Sequence, residues 1–337
     1  MSEKRKQDHI DKTKNAQTNR STRRQGFHYE PLFGEFNFTP YHETFLGRTI
    51  KAPFWISSMT GGVDAAKVIN QNLSKACGEF GLGMGLGSCR PLLDSHDRLS
   101  EFALRKNLKD SPFMANLGIA QLEQLILQNK LSKVIELVKL LEADGLIVHI
   151  NPLQEWAQPE GDRYQQPASE TLLRVKEAWP VDFKLAVKEV GQGMGPKSLQ
   201  FLFELEVDAI EFGAYGGTNF TKLERLRADK DSLQNSVPTS VKDEFVFIGH
   251  TAEEMMRTCC ALARNASFIP EFVISGGVDL LSGLKLLKSS PQKAVIGQAS
   301  RFVEHAHDYD RLCEYIVDLI EAFNMGEKFL KVKNEDH

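Results

Sequence analysis

Short apolar and β-branched runs alternate along this chain with stretches whose apolar positions recur at helical spacing. Eight runs read as strands, at residues 54–58, 82–87, 112–116, 144–150, 183–190, 207–212, 272–275 and 294–297. Between the third and fourth, Leu131, Val134, Ile135, Val138 and Leu141 fall on one helical face, and similar stripes lie within 68–80, 280–287 and 312–323. Strands alternating with helices predict a parallel sheet covered by helices, and eight such units predict an α/β fold of the (β/α)8 TIM-barrel type. The runner-up is a doubly wound open sheet. Its Gly-x-Gly-x-x-Gly turn is absent after the first strand, where Ser58-Met59-Thr60-Gly61-Gly62 stands instead.

Composition narrows the partners rather than the fold. With 337 residues, 42% hydrophobic and 26% charged, the chain reads as an ordinary soluble globular enzyme. A net charge of −4 and a pI near 6.2 argue against nucleic acid as a partner. The first 24 residues are nevertheless basic, with Lys4, Arg5, Lys6, Arg20, Arg23 and Arg24. The expected organisation is therefore a basic segment at 1–24, a barrel over 25–330 and a polar tail at 331–337. Cys77, Cys89, Cys259, Cys260 and Cys313 show no Cys-x-x-Cys or Cys/His ligand spacing. With no signal-like segment or long apolar run, a cytoplasmic protein without a membrane partner is expected.

A barrel places its active site on the loops at the carboxyl ends of the strands. The unusual residues of this chain fall there: Ser58 to Gly62, Gly85 to Arg90, Asn116-Leu117-Gly118, Val187 to Gly191, Gly213 to Asn219, Ser275-Gly276-Gly277 and Gly297-Gln298-Ala299. The densest cluster follows the fourth strand. His149-Ile150-Asn151-Pro152-Leu153-Gln154-Glu155 brings an imidazole, two amides and a carboxylate to one turn, where Pro152 ends ladder pairing. The glycines after strands seven and eight suit a phosphate bound by backbone N–H groups, as in a phosphorylated cofactor such as FMN. Lys188 and Glu189 point to opposite faces, so one charge must enter the barrel; an inward Lys188 would stabilise the negative charge of a reduced flavin.

These residues resemble the type 2 isopentenyl diphosphate isomerases, which are FMN-dependent (β/α)8 barrels. The resemblance runs from Arg5-Lys6-Gln7-Asp8-His9-Ile10 to the loop at Gly297. It rests on Met59-Thr60-Gly61-Gly62, Met84-Gly85-Leu86-Gly87-Ser88, His149 to Glu155 with Gln158-Pro159-Glu160-Gly161-Asp162, Val187 to Gly193, and Gly216-Gly217-Thr218-Asn219-Phe220. It implies conversion of isopentenyl diphosphate to dimethylallyl diphosphate by a 1,3-proton shift, with FMN, NADPH as its reductant, Mg²⁺, and a homo-oligomer, tetramer or octamer. It implies that Thr60, Gly61, Gly62, Ser88, Asn116, Lys188, Thr218, Ser275, Gly276, Gly277, Gln298 and Ala299 hold FMN. Arg5, Lys6, Ser88, Cys89, Arg90, Asn151 and Gln154 then hold the diphosphate substrate, Glu155 ligates Mg²⁺, and Gln154, Lys188 and His149 serve the chemistry.

Physical chemistry agrees with several of these roles. Arg5, Lys6, Arg90 and His149 suit a diphosphate as cationic donors, and Mg²⁺ takes one or two carboxylates plus phosphate oxygens and water. A basic amino terminus reads from composition as a solvated tail, and the resemblance turns it into a segment that closes over substrate. Two residues depart from the family pattern: Cys89 replaces a glutamine, and Asp279 stands where a basic residue is usual, with an inward carboxylate expected to weaken phosphate binding. Glu224, downstream of the glycine loop, is a weaker candidate for moving a proton that reads more readily as a helix-surface residue, and it is given no role. The competing readings are an FMN-dependent 2-hydroxy acid oxidoreductase, which requires a His and Arg pair missing from Val273-Ile274-Ser275-Gly276-Gly277, and an inactive flavin- or diphosphate-binding protein.

Overall fold

The computed structural model describes residues 3–58, 64–228 and 241–333. Eight parallel strands close into a barrel: β1 (Phe54–Ile56), β2 (Gly83–Gly85), β3 (Phe113–Gly118), β4 (Gly145–His149), β5 (Lys184–Lys188), β6 (Ala209–Glu211), β7 (Glu271–Ile274) and β8 (Ala294–Gln298). Each pairs with the next in chain order. Closure comes from β8 on β1, with Ile296 opposite Phe54 and Gln298 opposite Ile56. The expected (β/α)8 barrel is therefore present, and the helical stripes lie in Asp64–Phe80, Ser132–Leu140, Leu280–Ser289 and Tyr309–Phe329. Most strands are shorter than their apolar runs. The fifth stops at Lys188 because the Glu189 carboxylate captures the following backbone N–H groups.

Alternation along the strands divides the core in two. Phe54, Ile56, Leu146, Val148, Leu185, Val187, Ile210, Phe272, Ile274 and Ile296 face outward and pack under the helices. Trp55, Met114, Ile147, Ala186, Ala209, Val273 and Val295 face inward and fill the barrel. The inward tryptophan has room because β2 contributes glycine: a Cβ on Gly83 would lie 2.3 Å from the Trp55 ring.

Two pairings are not announced by the periodic pattern. The strands Glu43–Phe45 and Arg48–Ile50 form a hairpin that plugs the amino-terminal mouth with Phe45, Leu46 and Ile50. Its turn has φ +49° at Leu46 and +79° at Gly47, the paired left-handed geometry of a type I′ turn. The sequence cue is weak because Leu replaces the usual Asn or Asp. Leu46 is held instead by tertiary contacts: it is buried, and its N–H donates to Glu271 Oε2 at 2.5 Å. The second pairing joins Phe27–Tyr29 antiparallel to Leu330–Val332, so Lys331 and Val332, in the stretch whose composition reads as a tail, lie in a strand.

Carboxylates stitch the amino-terminal face. Asp144, just before β4, accepts the N–H of Phe113 at 2.8 Å and pairs with Arg48 at 2.8 Å and Arg105 at 2.7 Å. Asp208 repeats the device before β6, accepting the N–H of Leu185 at 2.9 Å and pairing with Lys184 at 2.8 Å. Loss of the Asp144 carboxylate leaves the largely buried Arg105 guanidinium, still bonded to the Glu142, Lys109 and Ser111 carbonyls, without its counter-charge, and the Phe113 N–H without its acceptor. D144A is therefore expected to lower stability by about 2–4 kcal/mol. R48A, which removes only an exposed partner, is expected to cost under about 1 kcal/mol. Urea unfolding of the two variants checks the contrast, and equal losses would contradict it.

Candidate active site

Two residues beyond the inward apolar layer, the same parity places a polar layer at the carboxyl mouth. It comprises Ser57 after β1, Asn116 from β3, His149 from β4, Lys188 from β5, Glu211 from β6 and Ser275 after β7. All but His149 are buried, with Lys188 at 5% and Glu211 at 2% exposure. The Lys188 ammonium thus resolves the choice between the two neighbouring charges: it faces inward and donates to the Glu189 carbonyl at 3.0 Å. The Glu189 carboxylate turns back instead. Its Oε2 accepts N–H groups from Val190, Gly191, Gln192 and Gly193 at 2.5–3.0 Å and holds the β5 loop in shape. Burial pushes this carboxyl up to about 7, against the pull of those donors and of Lys188.

A cavity of about 410 Å³ opens on one side of this layer, within the range of small-molecule sites. Lys188, Thr218, Ser275, Gly276, Gly277, Gln298 and Ala299, all expected to hold a cofactor, line it. Two loops meet there backbone to backbone. Gly276 has φ +98° and Gly277 +73°, and Cβ atoms would lie 2.1 Å from the Ala214 oxygen and 2.2 Å from the Gly216 carbonyl carbon. Ser275 Oγ ties the same loops by accepting the Gly213 N–H at 3.0 Å. Gln298 is oriented by Tyr315, whose hydroxyl donates to its Oε1 at 2.7 Å. Thr60, Gly61 and Gly62 lie outside the described residues. Ser88 and Asn116 belong to the β2–β4 side of the mouth and do not line this cavity.

The cluster after β4 forms one hydrogen-bonded network. His149 Nδ1 donates to Asn116 Oδ1 at 2.7 Å, the tautomer that an amide oxygen requires. Asn151 Nδ2 donates to Gln154 Oε1 at 3.0 Å and to Glu155 Oε1 at 2.9 Å, and Glu155 Oε2 accepts the Asp162 N–H at 2.7 Å. Asp162 in turn accepts from Gln121 and pairs with Arg90, each at 2.7 Å. The helix Pro152–Ala157, which carries Gln154 and Glu155, packs on Phe220–Ala228, whose Phe220 lines the cavity. His149 sits opposite Lys188 in the β4–β5 register, so the network and the cavity share a wall.

The structure revises four expectations. His149 is not a cationic donor: desolvation first, then the Lys188 charge, push its pKa down to about 3, so at neutral pH it is uncharged with Nε2 an acceptor. Cys89 is not placed to touch a substrate, because its side chain is fully buried in the core and its N–H donates to the Asn116 carbonyl at 2.8 Å. Asp279 lines the cavity but spends its carboxylate on the scaffold: it caps Leu280–Ser289, accepting the Ser282 N–H at 2.8 Å, and pairs with Arg24 at 3.2 Å. Glu224 is buried and paired with Arg227 rather than lying on a helix surface. Arg5 and Lys6 lie on Glu3–Lys12, a helix that buries none of its residues, so packing does not fix them at the mouth.

Three mouth residues escaped the sequence reading, among them Ser57, which lines the cavity one residue before the motif that was singled out. Glu211 lines the cavity, and its signal was available: the inward parity that selects Lys188 on β5 selects Glu211 on β6. Tyr315 reaches the cavity from Tyr309–Phe329, and no local motif marks it. Among the described residues, no group of three His, Cys, Asp or Glu could by itself hold a metal ion, all five cysteines are free, and no helix is long and apolar enough to cross a membrane.

No protein-family model matches the chain. Among solved structures it resembles the flavin-binding domain of baker's yeast flavocytochrome b2 (TM-score 0.59, 13% identity, 90% of this chain and 71% of that one). It also resembles an (S)-mandelate dehydrogenase (TM-score 0.54, 12% identity, 92% and 89%). At these identities the likeness shows the fold. Sequence relatives are nearer: isopentenyl-diphosphate delta-isomerase of Rickettsia africae is 31% identical over 322 residues, covering 94% of this chain and 90% of the relative. That of Rickettsia akari is 32% identical over 325 residues, with the same coverage. Likeness at this level along nearly the whole length, on a barrel whose mouth gathers the clustered polar residues, shows that the chain belongs to the isopentenyl-diphosphate delta-isomerase family.

Proposed function

We propose that this chain is a type 2, FMN-dependent isomerase that converts isopentenyl diphosphate to dimethylallyl diphosphate. The observation that carries the reading is the buried Lys188 beside a neutral His149, with the glycine-walled cavity on one side and Gln154, Glu155 and Arg90 on the other. Ser57 Oγ, Ser58 Oγ and Glu211 Oε2 are buried at the cavity without hydrogen-bond partners among the described residues, and a ligand rich in polar ring atoms supplies them. The Gly276-Gly277 turn, too tight for side chains, suits a phosphate held by backbone N–H groups. FMN meets both requirements.

Lys188, Thr218, Ser275, Gly276, Gly277, Gln298 and Ala299 would hold FMN, joined by Thr60, Gly61 and Gly62 and, from the other wall, Ser88 and Asn116. Bound FMN, reduced by NADPH, supplies a proton donor and acceptor beside the substrate alkene. Lys188 provides the positive charge of the layer, and its buried position keeps that charge from being screened by water. His149, fixed by Asn116, keeps Nε2 free as an acceptor. Gln154 orients the alkene end from its helix. Arg90, Asn151, Arg5 and Lys6 would hold the diphosphate, while Glu155, already oriented by Asn151 and the Asp162 N–H, would ligate Mg²⁺ together with phosphate oxygens. A 2-hydroxy acid oxidation on this barrel is disfavoured, because Val273 to Gly277 supplies neither the histidine nor the arginine that reaction needs.

Purified protein given reduced FMN and Mg²⁺ is expected to exchange the allylic protons of isopentenyl diphosphate in deuterium oxide, read by proton NMR. Flavin bound without exchange would overturn the isomerase reading, and no flavin bound would overturn the cofactor. E155Q is expected to raise the substrate KM about tenfold or more while the FMN dissociation constant stays within about twofold. Equal losses of both would place Glu155 in the scaffold rather than at the metal.

The His149 shift also has a stability consequence. Its folded pKa of about 3 lies below the usual value of 6.5, so as pH falls between them the unfolded chain takes up a proton that the folded protein refuses. H149Q is expected to lose less stability than the parent between pH 7 and pH 4.5 in urea unfolding; parallel losses would show that His149 is not held neutral.

A further inference from the structure

Glu211 ends β6 on the inward face, two residues beyond Ala209, and is 2% exposed. Its Oε2 has no hydrogen-bond partner among the described residues, and the side chain lines the cavity. An acceptor buried without a donor is costly, so its retention points to a donor carried by a ligand. Lys188, opposite Glu211 in the β5–β6 register, donates to the Glu189 carbonyl rather than to Glu211. At one level of the barrel, neighbouring strands thus present an ammonium donor and a carboxylate acceptor. That pair complements the edge of a ring amide, where a carbonyl and an N–H are adjacent. A carboxylate repels a phosphate, so Glu211 faces the ring portion of a ligand and leaves the phosphate to the glycine loops.

We propose that Glu211 is a cofactor-recognition residue whose free carboxylate oxygen accepts the imide N–H of the flavin ring. The proposal rests on the FMN reading above, and in oxidised FMN that imide is the only ring N–H. It makes Glu211 a selector for a planar heterocycle with an imide edge, beside the charge supplied by Lys188.

The test compares FMN with 3-methyl-FMN, in which a methyl group replaces that hydrogen, by fluorescence titration of wild type and Glu211→Met. Wild type is expected to bind 3-methyl-FMN about tenfold more weakly than FMN, and Glu211→Met to bind both alike, about tenfold more weakly than wild type binds FMN. Glu211→Gln, which keeps an acceptor oxygen, is expected to retain part of the preference. Thermal unfolding of the flavin-free proteins checks that Glu211→Met folds, and removal of an unpaired buried carboxylate is expected to leave its Tm equal or higher. A Glu211→Met protein that still discriminates against 3-methyl-FMN, or binds FMN like wild type, overturns the assignment. If Glu211→Met does not fold, equal binding of the two flavins by wild type overturns it. Failure of wild type to bind either flavin overturns the cofactor reading itself, an outcome distinct from loss of the Glu211 role.

Discussion

Closure of eight strands into a barrel is the constraint on which the molecule depends. Once β8 pairs with β1, every strand has an inside and an outside, and alternate residues are committed to one or the other. The inside is narrow and dry along the middle of the barrel, where Trp55, Met114, Ile147 and Val273 interlock. It becomes polar at the next inward position, where Asn116, His149, Lys188 and Glu211 stand. The apolar layer excludes water from beneath the polar one. Charges above it therefore act in a medium where they are felt strongly.

That setting explains the electrostatics of the mouth. The Lys188 ammonium is held by the Glu189 carbonyl, and its charge helps keep His149 neutral. Asn116 supplies a fixed acceptor, so the imidazole has one orientation and one tautomer. Glu189 looks in sequence like a partner for Lys188, but its carboxylate spends its lone pairs on four consecutive backbone N–H groups. It shapes the loop that ends β5. A charge pair adjacent in sequence is thereby divided between site and scaffold by nothing more than the pleat of the strand.

The two ends of the barrel use acidic residues differently. At the amino-terminal face Asp144 and Asp208 are satisfied by strand N–H groups and basic partners, so they hold the cylinder together. At the carboxyl face Glu211 is left with an oxygen that no side chain among the described residues supplies. Because Glu211 lines the cavity, a ligand can complete its hydrogen bonding there.

The periodic pattern alone determined the barrel, because eight apolar runs separated by helical stripes admit few topologies, and the glycines at strand ends marked the mouth. Lys188, Ser275, Gly276, Gly277, Gln298 and the cluster after β4 were legible for the same reason: each sits next to a strand whose parity and end can be read locally. Tertiary structure decided the rest. Cys89 lies in a motif yet is drawn into the core, Asp279 caps a helix, and the Leu46-Gly47 turn forms because Glu271 and the barrel floor hold it rather than because its residues prefer it. Tyr315 joins the mouth from a helix more than a hundred residues beyond Lys188. Such facts depend on which distant atoms satisfy a hydrogen bond or fill a gap, and a linear pattern carries hydrophobic period and turn chemistry but not the identity of those partners.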